Sequence, residues 1–233
     1  MLLAIDSSTD SASLALAQDG KVLAETTWRC HQNHSVELLP RLTQLLEKAR
    51  VSLKDTSVVI VARGPGSFNG LRVGLSTAKG LAFSLKVPII GVSSLEMAAY
   101  PHAETGLPVC PVFNAGRGEI ATALYQKKEG GWQRLAPEHI TTVEALTEEI
   151  DEPTLFCGEY VKTIAHQLKA KLKEKAVIAP PKMLSAVSLL ELARPRIEAK
   201  DYDDPTTLQP IYLRRPHITQ PRRRQKYSNG ETK

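Results

Sequence analysis

Residues 58–85, VVIVARGPGSFNGLRVGLSTAKGLAFSL, constrain the fold of this chain more than any other stretch. Val58, Val59, Ile60, Val61 and Ala62 form a continuous apolar run of strand length, rich in β-branched residues. Such a run marks a strand covered on both faces, so it belongs inside a sheet. Gly64, Pro65, Gly66, Ser67, Phe68, Asn69 and Gly70 follow. Their glycines permit backbone angles closed to other residues, and Ser67 or Asn69 can cap the next helix. A strand that ends in a glycine loop and opens a helix offers free amides to an anion or a partner.

The segments on either side extend this unit into an α/β pattern. Leu2 to Ile5 reads as a buried strand, Asp6 to Asp10 as a polar turn, and 11–17 as an alternating strand. Asp19-Gly20 then signals a hairpin into a third strand at 21–27. Leu38, Leu42, Leu45, Leu46 and Ala49 share one helical face, with Pro40 expected in the first turn or at a kink. The helix that begins near Gly70 carries Leu71, Leu75, Ala78, Leu81, Ala82 and Leu85 on its apolar face. Gly74 beside Ala78 suggests that another backbone comes close, since glycine inside a helix costs about 1 kcal/mol relative to alanine.

A strand at 87–92 and a short helix at 94–100 precede 101–108, whose two prolines and glycine mark a boundary between lobes. Beyond it the order partly repeats. Three strands at 109–114, 119–126 and 132–136 are followed by helix 142–150, strand 154–157, helix 161–174, a short strand at 177–178 and helix 185–200. Neighbouring antiparallel strands followed by alternating helices and strands, twice over, predict an α/β fold of two related lobes, residues 1–100 and 101–215.

A chain of 233 residues can bury a sizeable core without disulfide or metal support. Cys30, Cys110 and Cys157 are odd in number and far apart, which points to free thiols. The apolar runs are too short to span a bilayer, and an acidic residue interrupts the N-terminal apolar segment, so a cytoplasmic protein without a membrane contact is expected. The formal charge of +5 is localised: residues 211–233 hold seven basic groups against one acid, leaving 23 basic and 24 acidic groups in the first 210. Residues 216–233 therefore read as a basic, solvated, disordered tail that could make a minor contact with RNA phosphates.

Recognisable catalytic patterns are scarce. Gly64, Gly66 and Gly70 give G-x-G-x-x-x-G, one residue too long for the dinucleotide fingerprint, and Leu71 stands where a P-loop needs its lysine. Asp6, followed by Ser7-Ser8-Thr9, occupies the place where sugar kinases, actin and Hsp70-type ATPases have an acidic residue and a glycine turn around phosphate, but Ser8 replaces that glycine. One carboxylate is a poor magnesium site, and a turn-capping role is the simpler reading. His31 and His34 could share a helix face as metal ligands, yet no third ligand follows at suitable spacing. No GxSxG elbow or Cys/His pair argues for a hydrolase. No catalytic residue, metal or cofactor is assigned.

Six segments taken together resemble a known family. Ala4-Ile5-Asp6-Ser7-Ser8, the 34–40 run HSVELLP, the 64–74 run GPGSFNGLRVG, Gly91-Val92-Ser93-Ser94, Arg117-Gly118-Glu119 and Pro210-Ile211-Tyr212-Leu213-Arg214 are similar in order and content to the TsaB (YeaZ) family of bacterial tRNA threonylcarbamoyladenosine biosynthesis proteins. The resemblance implies an actin-like, Hsp70-like two-lobed fold, each lobe a mixed sheet flanked by helices. It also implies a non-catalytic subunit that pairs with the catalytic TsaD, is joined by the ATPase TsaE, and serves modification of adenosine 37 in tRNAs reading ANN codons. The tRNA is then met through the complex, and a self-dimer is expected when TsaD is absent.

The family pairs through two N-lobe helices, here 34–50 and 70–85, which assigns His34, Ser35, Glu37, Leu38, Leu42, Leu71, Gly74, Leu75 and Ala78 to the partner interface. On this reading Gly74→Leu blocks pairing and spares the monomer. Asp6, Ser7, Ser8, Gly64, Gly66 and Asn114 then line a vestigial nucleotide cleft. Asn69 stands where the family usually has Thr, Asn114 where it usually has Asp, and Cys157-Gly158-Glu159 has one glycine where nucleotide-binding relatives have two. These departures point away from independent ATP hydrolysis, the rival reading being an actin-fold ATPase or phosphotransferase built on Asp6 and the 64–70 loop.

Overall fold

The computed structural model describes residues 1–31 and 33–214, so the basic tail lies outside the described residues. Strands β1 (Leu2–Asp6), β2 (Ser11–Gln18) and β3 (Lys21–Arg29) form an antiparallel meander. Helix α1 (His34–Ala49) leads to β4 (Val58–Ala62), which pairs parallel with β1. After α2 (Phe68–Leu85), β5 (Ile89–Val92) pairs parallel with β4, giving the order β3-β2-β1-β4-β5. All five residues of β4 are buried, as its unbroken apolar run requires.

Helix α3 (Ser94–Ala99) connects to a second sheet built the same way. Its meander is β6 (Val109–Gly116), β7 (Glu119–Lys128) and β8 (Gly131–Thr141). Past α4 (Val143–Glu148), β9 (Thr154–Cys157) pairs parallel with β6; past α5 (Val161–Leu172), β10 (Ala176–Ile178) pairs parallel with β9. The order β10-β9-β6-β7-β8 repeats the topology of the first sheet. Helix α6 (Val187–Glu198) follows.

Period-two alternation divides each sheet between two cores. In the first, Leu3, Ile5, Val59 and Val61 face α1 and α2, while Ala4, Val58, Ile60 and Ile90 face the other way. That second face is covered by Ala186, Leu189, Leu190 and Ala193 at and in α6. The expectation that helix 185–200 closes the second lobe is thus corrected: α6 returns to the first sheet, because its alanine-and-leucine stripe fits the small residues of β1 and β2 there. The 1–100/101–215 division is corrected in two further places. Leu95, Ala98 and Ala99 of α3 already pack on the second sheet. The chain after α6 continues along the first lobe, where the Asp203 amide donates to the Ile89 carbonyl and Leu208 enters the core of α1 and α2.

Helix boundaries follow local chemistry. Ser67 caps α2 by accepting from the Gly70 amide at 3.3 Å, the choice that the sequence left open between Ser67 and Asn69. Pro40 sits in the second turn of α1, not the first, on its exposed side.

Candidate functional site

The glycine loop is filled by the protein itself. A Cβ on Gly66 would stand 2.1 Å from the Ser8 carbonyl oxygen, and one on Gly70 2.1 Å from that of Ser7. Gly74 is equally closed, since its Cβ would fall 2.1 Å from Ser7 Oγ. Ser7 Oγ donates to the Gly70 carbonyl at 2.8 Å, and the Ser67 amide donates to the Ser8 carbonyl at 2.7 Å. Gly64 is held from the other side, donating its amide to Ser94 Oγ at 3.0 Å and accepting the Ser94 amide at 2.8 Å. The glycines therefore admit the β1–β2 turn to the loop. Of the loop amides, Ser67 is spent on the turn, Gly70 on the Ser67 cap and Gly64 on Ser94.

Asp6, at the end of β1, is wholly buried and accepts the Ser8 amide on Oδ1 at 2.9 Å; its Oδ2 has no partner among the described residues. Burial pushes its carboxyl up to about 6, against the opposing pull of Ser8 and the positive field of His34. His34 Nε2–H donates to the Thr9 carbonyl at 2.8 Å, which commits the ring to bracing the turn. Next to this turn a cleft of about 420 Å³ runs between the lobes, lined by Thr9, Asp10, Arg29, Glu159, Lys162 and Lys182 among others. The Glu159 carboxyl is pushed up to about 7 by loss of water in the cleft and then by Asp10 and Asp6 opposite. The carboxylates of Asp6, Asp10 and Glu159 gather around this turn and repel the phosphates of a nucleotide. Gly158 is likewise closed: its Cβ would stand 2.7 Å from the Val112 carbonyl oxygen. Asn114 is exposed at the β6–β7 turn, where its Oδ1 accepts the Gly116 amide at 2.8 Å.

Most residues assigned to the partner interface lie in the core. His34, Leu38, Leu42, Leu71, Gly74, Leu75 and Ala78 are buried, packed between the helices and the sheet; only Ser35 is exposed and Glu37 half-buried. The assignment is corrected for a simple reason: a helical apolar stripe is satisfied first by the sheet beneath it. Exposed apolar residues off that stripe are the ones a partner can reach. Val36 is 67% exposed, Leu39 51% and Phe83 83%, on two helices that pack side by side. A Cβ on Gly80, in the same outer face of α2, meets no described atom within 4 Å. Sequence reasoning missed these four, although their position out of phase with the leucine stripe was a usable signal.

A second cluster joins the lobes. Phe68 and Tyr212 lie with ring centroids 5.4 Å apart, the Arg72 guanidinium sits 3.8 Å over the Phe68 ring, and Arg72 Nε donates to Tyr212 Oη at 3.3 Å. Two residues on, Arg214 forms an ion pair with Glu119 of β7. The segment carrying Tyr212 and Arg214 is fastened along the first lobe by Lys79 Nζ donating to the Leu208 carbonyl at 2.7 Å and by the Ile211 amide donating to that of Arg63 at 2.6 Å.

Comparison with known proteins agrees with this geometry. A family model described as TsaD, tRNA N6-adenosine threonylcarbamoyltransferase, matches residues 22–218. The tRNA threonylcarbamoyladenosine biosynthesis protein TsaB of Bacillus subtilis (strain 168) is 39% identical over 161 residues, 67% of this chain and 70% of that one. A Pseudomonas aeruginosa crystal structure, described as similar to peptidase YeaZ, aligns with a TM-score of 0.80 at 26% identity, covering 91% of this chain and 99% of that one. The activator of 2-hydroxyisocaproyl-CoA dehydratase from Clostridium difficile, solved with ADPNP bound, shares the fold alone, at a TM-score of 0.50 and 8% identity over 87% of this chain and 99% of that one.

Two lobes of repeated topology around a cleft, each a mixed sheet between helices, give the chain an actin-like fold. Within that class the chain belongs to the TsaB (YeaZ) family.

Proposed function

We propose that this chain is a non-catalytic subunit in the formation of tRNA N6-threonylcarbamoyladenosine, and that it acts by docking a TsaD-type transferase on the outer face of α1 and α2. The relatives' names support the pathway, and the turn and loop packed against each other support the lack of turnover. The observation that carries the docking reading is Gly80. Glycine in an exposed helix interior costs about 1 kcal/mol relative to alanine, and no neighbour among the described residues requires it here. Close approach of another helix would require it. Phe83, one turn on from Gly80, and Val36 and Leu39 on α1 expose apolar area on this pair of helices, which a protein tends to cover with a partner or with a second copy of itself. A ternary complex with TsaE, action on tRNAs reading ANN codons and a self-dimer in the absence of TsaD belong to the same proposal.

Co-purification with TsaD tests it. Gly80→Arg keeps the fold, since arginine is the better helix former, and is expected to abolish capture of TsaD and any self-dimer seen by gel filtration. Undiminished capture by both Gly80→Arg and Phe83→Asp would move the interface elsewhere. Undiminished modified tRNA in a reconstitution without this chain would remove the function itself.

A further inference from the structure

A cavity of about 590 Å³ lies on the α6 side of the first sheet, where the two lobes meet. Both lobes and both connections between them build it. Strand β3 supplies Val22 and Glu25, and the first connection supplies Met97 and Ala98 of α3 with Tyr100 and His102 after it. The second lobe adds Cys157, at the end of β9. The second connection, from β10 to α6, contributes 182–185, and α6 itself Val187, Ser188 and Glu191. Its volume is that of a small-molecule pocket, roughly 300–1,000 Å³, whereas cores packed at ordinary density leave few voids larger than a water molecule. Met97, Ala98 and Cys157 are buried, while Val22 and Met183 are 45% and 42% exposed, so an apolar interior opens through an apolar rim.

The lining selects among ligands. The thioethers of Met97 and Met183 adapt to irregular shapes and make favourable contacts with aromatic rings, and Tyr100 adds a ring of its own. The polar groups are few. Ser185 Oγ donates to Glu25 Oε2 at 3.1 Å, and Arg194 Nη2 donates to Glu191 Oε1 at 2.9 Å. The second oxygen of each carboxylate accepts no hydrogen bond among the described residues. Against these two acids the lining holds one lysine, Lys182, which is exposed. Burial, and then Lys182, push the His102 imidazole down from its ordinary value, so it adds no second cation at neutral pH. Two carboxylates and no arginine in the lining disfavour a phosphate and favour a protonated amine.

We propose that this cavity binds a small arylalkyl amine, its ring among Met97, Met183 and Tyr100 and its ammonium group meeting the carboxylates of Glu25 and Glu191. The ligand then bridges β3 of the first lobe and Cys157 of the second. The site is independent of the docking reading, because α6 and the cavity lie across the first sheet from α1 and α2.

Isothermal titration calorimetry of the full chain with tryptamine, indole-3-propionate and tryptophan tests this. Tryptamine is expected to bind about tenfold tighter than either of the others, the margin of one charge-assisted hydrogen bond, and to raise the melting temperature. The double variant Glu25→Gln, Glu191→Gln is expected to bring tryptamine down to the affinity of indole-3-propionate. Val187→Trp, which fills the cavity, is expected to abolish binding of tryptamine. Melting temperatures of the unliganded variants show whether each is folded, and if Val187→Trp is not, the glutamine variant decides. Absence of tryptamine binding at millimolar concentration overturns the proposal. Equal affinity for tryptamine and indole-3-propionate, or tighter binding of tryptophan than of tryptamine, overturns it as well, since the two carboxylates would then not select the ligand. Undiminished tryptamine binding in the glutamine variant, or in a folded Val187→Trp, places the ligand elsewhere and overturns it too.

Discussion

Asp6 holds a carboxylate in the first core with only one oxygen satisfied. Its folded value of about 6 lies above the 3.8 of an ordinary aspartate. Between those pH values the folded chain keeps a proton that the unfolded chain has lost, so stability falls as pH rises through this window. Above it the full cost applies, on the order of 3 kcal/mol for a shift of this size; below about pH 4, where both states are protonated, there is none. Asp6→Asn keeps an acceptor for the Ser8 amide and removes the charge. It is expected to be more stable than wild type by up to about 3 kcal/mol at pH 8 and to lose that advantage near pH 4, as urea titrations at the two pH values would show. An equal difference at both would mean that the ionised carboxylate is not what burial penalises. Asp6 was visible in the sequence as a strand-end acid, but a turn cap and a cleft ligand share the same residues there. The orphaned Oδ2 shows only once the folded chain closes over the end of β1 and buries it.

The strand–loop–helix unit from β4 to α2 was legible almost to the residue, because its signals are local: a β-branched run, a cluster of glycines and a serine cap. What locality could not reveal was which neighbour the glycines make room for. Gly74 and Gly80 lie six residues apart in one helix, and sequence alone gives both the same meaning; the structure places Ser7 against the first and, among the described residues, nothing against the second. The consequence separates them in experiment. Gly74→Leu is expected to cost several kcal/mol and to fail as a selective interface probe, since its side chain must displace Ser7 in the β1–β2 turn; overpacking alone costs about 1–3 kcal/mol for extra methylenes. Gly66→Ala is expected to destabilise for the same reason, its one methyl group meeting the Ser8 carbonyl. Chemical denaturation should show both losses with Gly80→Ala neutral or stabilising. Periodicity, similarly, identified the apolar stripes of both helices and could not say that the sheet would claim Leu38, Leu42 and Leu75.

At the scale of the molecule, the duplication was legible as a repeated order of hairpin strands, helix and parallel strand, and the sheets bear it out. The crossing back of α6 was not. Nothing in the pattern of Leu189, Leu190 and Ala193 distinguishes packing on one sheet from packing on the other when both offer small apolar faces. Leu208, in the segment that follows α6, shows how much the first lobe depends on that return: it is buried among residues of α1, α2 and β5. Leu208→Ala is expected to cost about 2–5 kcal/mol and to raise hydrogen exchange at α2 more than at β7. A uniform rise would instead indicate that the two lobes open as one unit.

The return of α6 and of the segment after it also bears on how the protein is made. Translation delivers β1 to β5 first, yet one face of their sheet stays without its cover until Leu190 and Ala193 have left the ribosome. At about 5–20 residues per second the first lobe therefore spends several seconds as an incomplete sandwich, its alanine-rich face open to chaperones and to its own neighbours on the polysome.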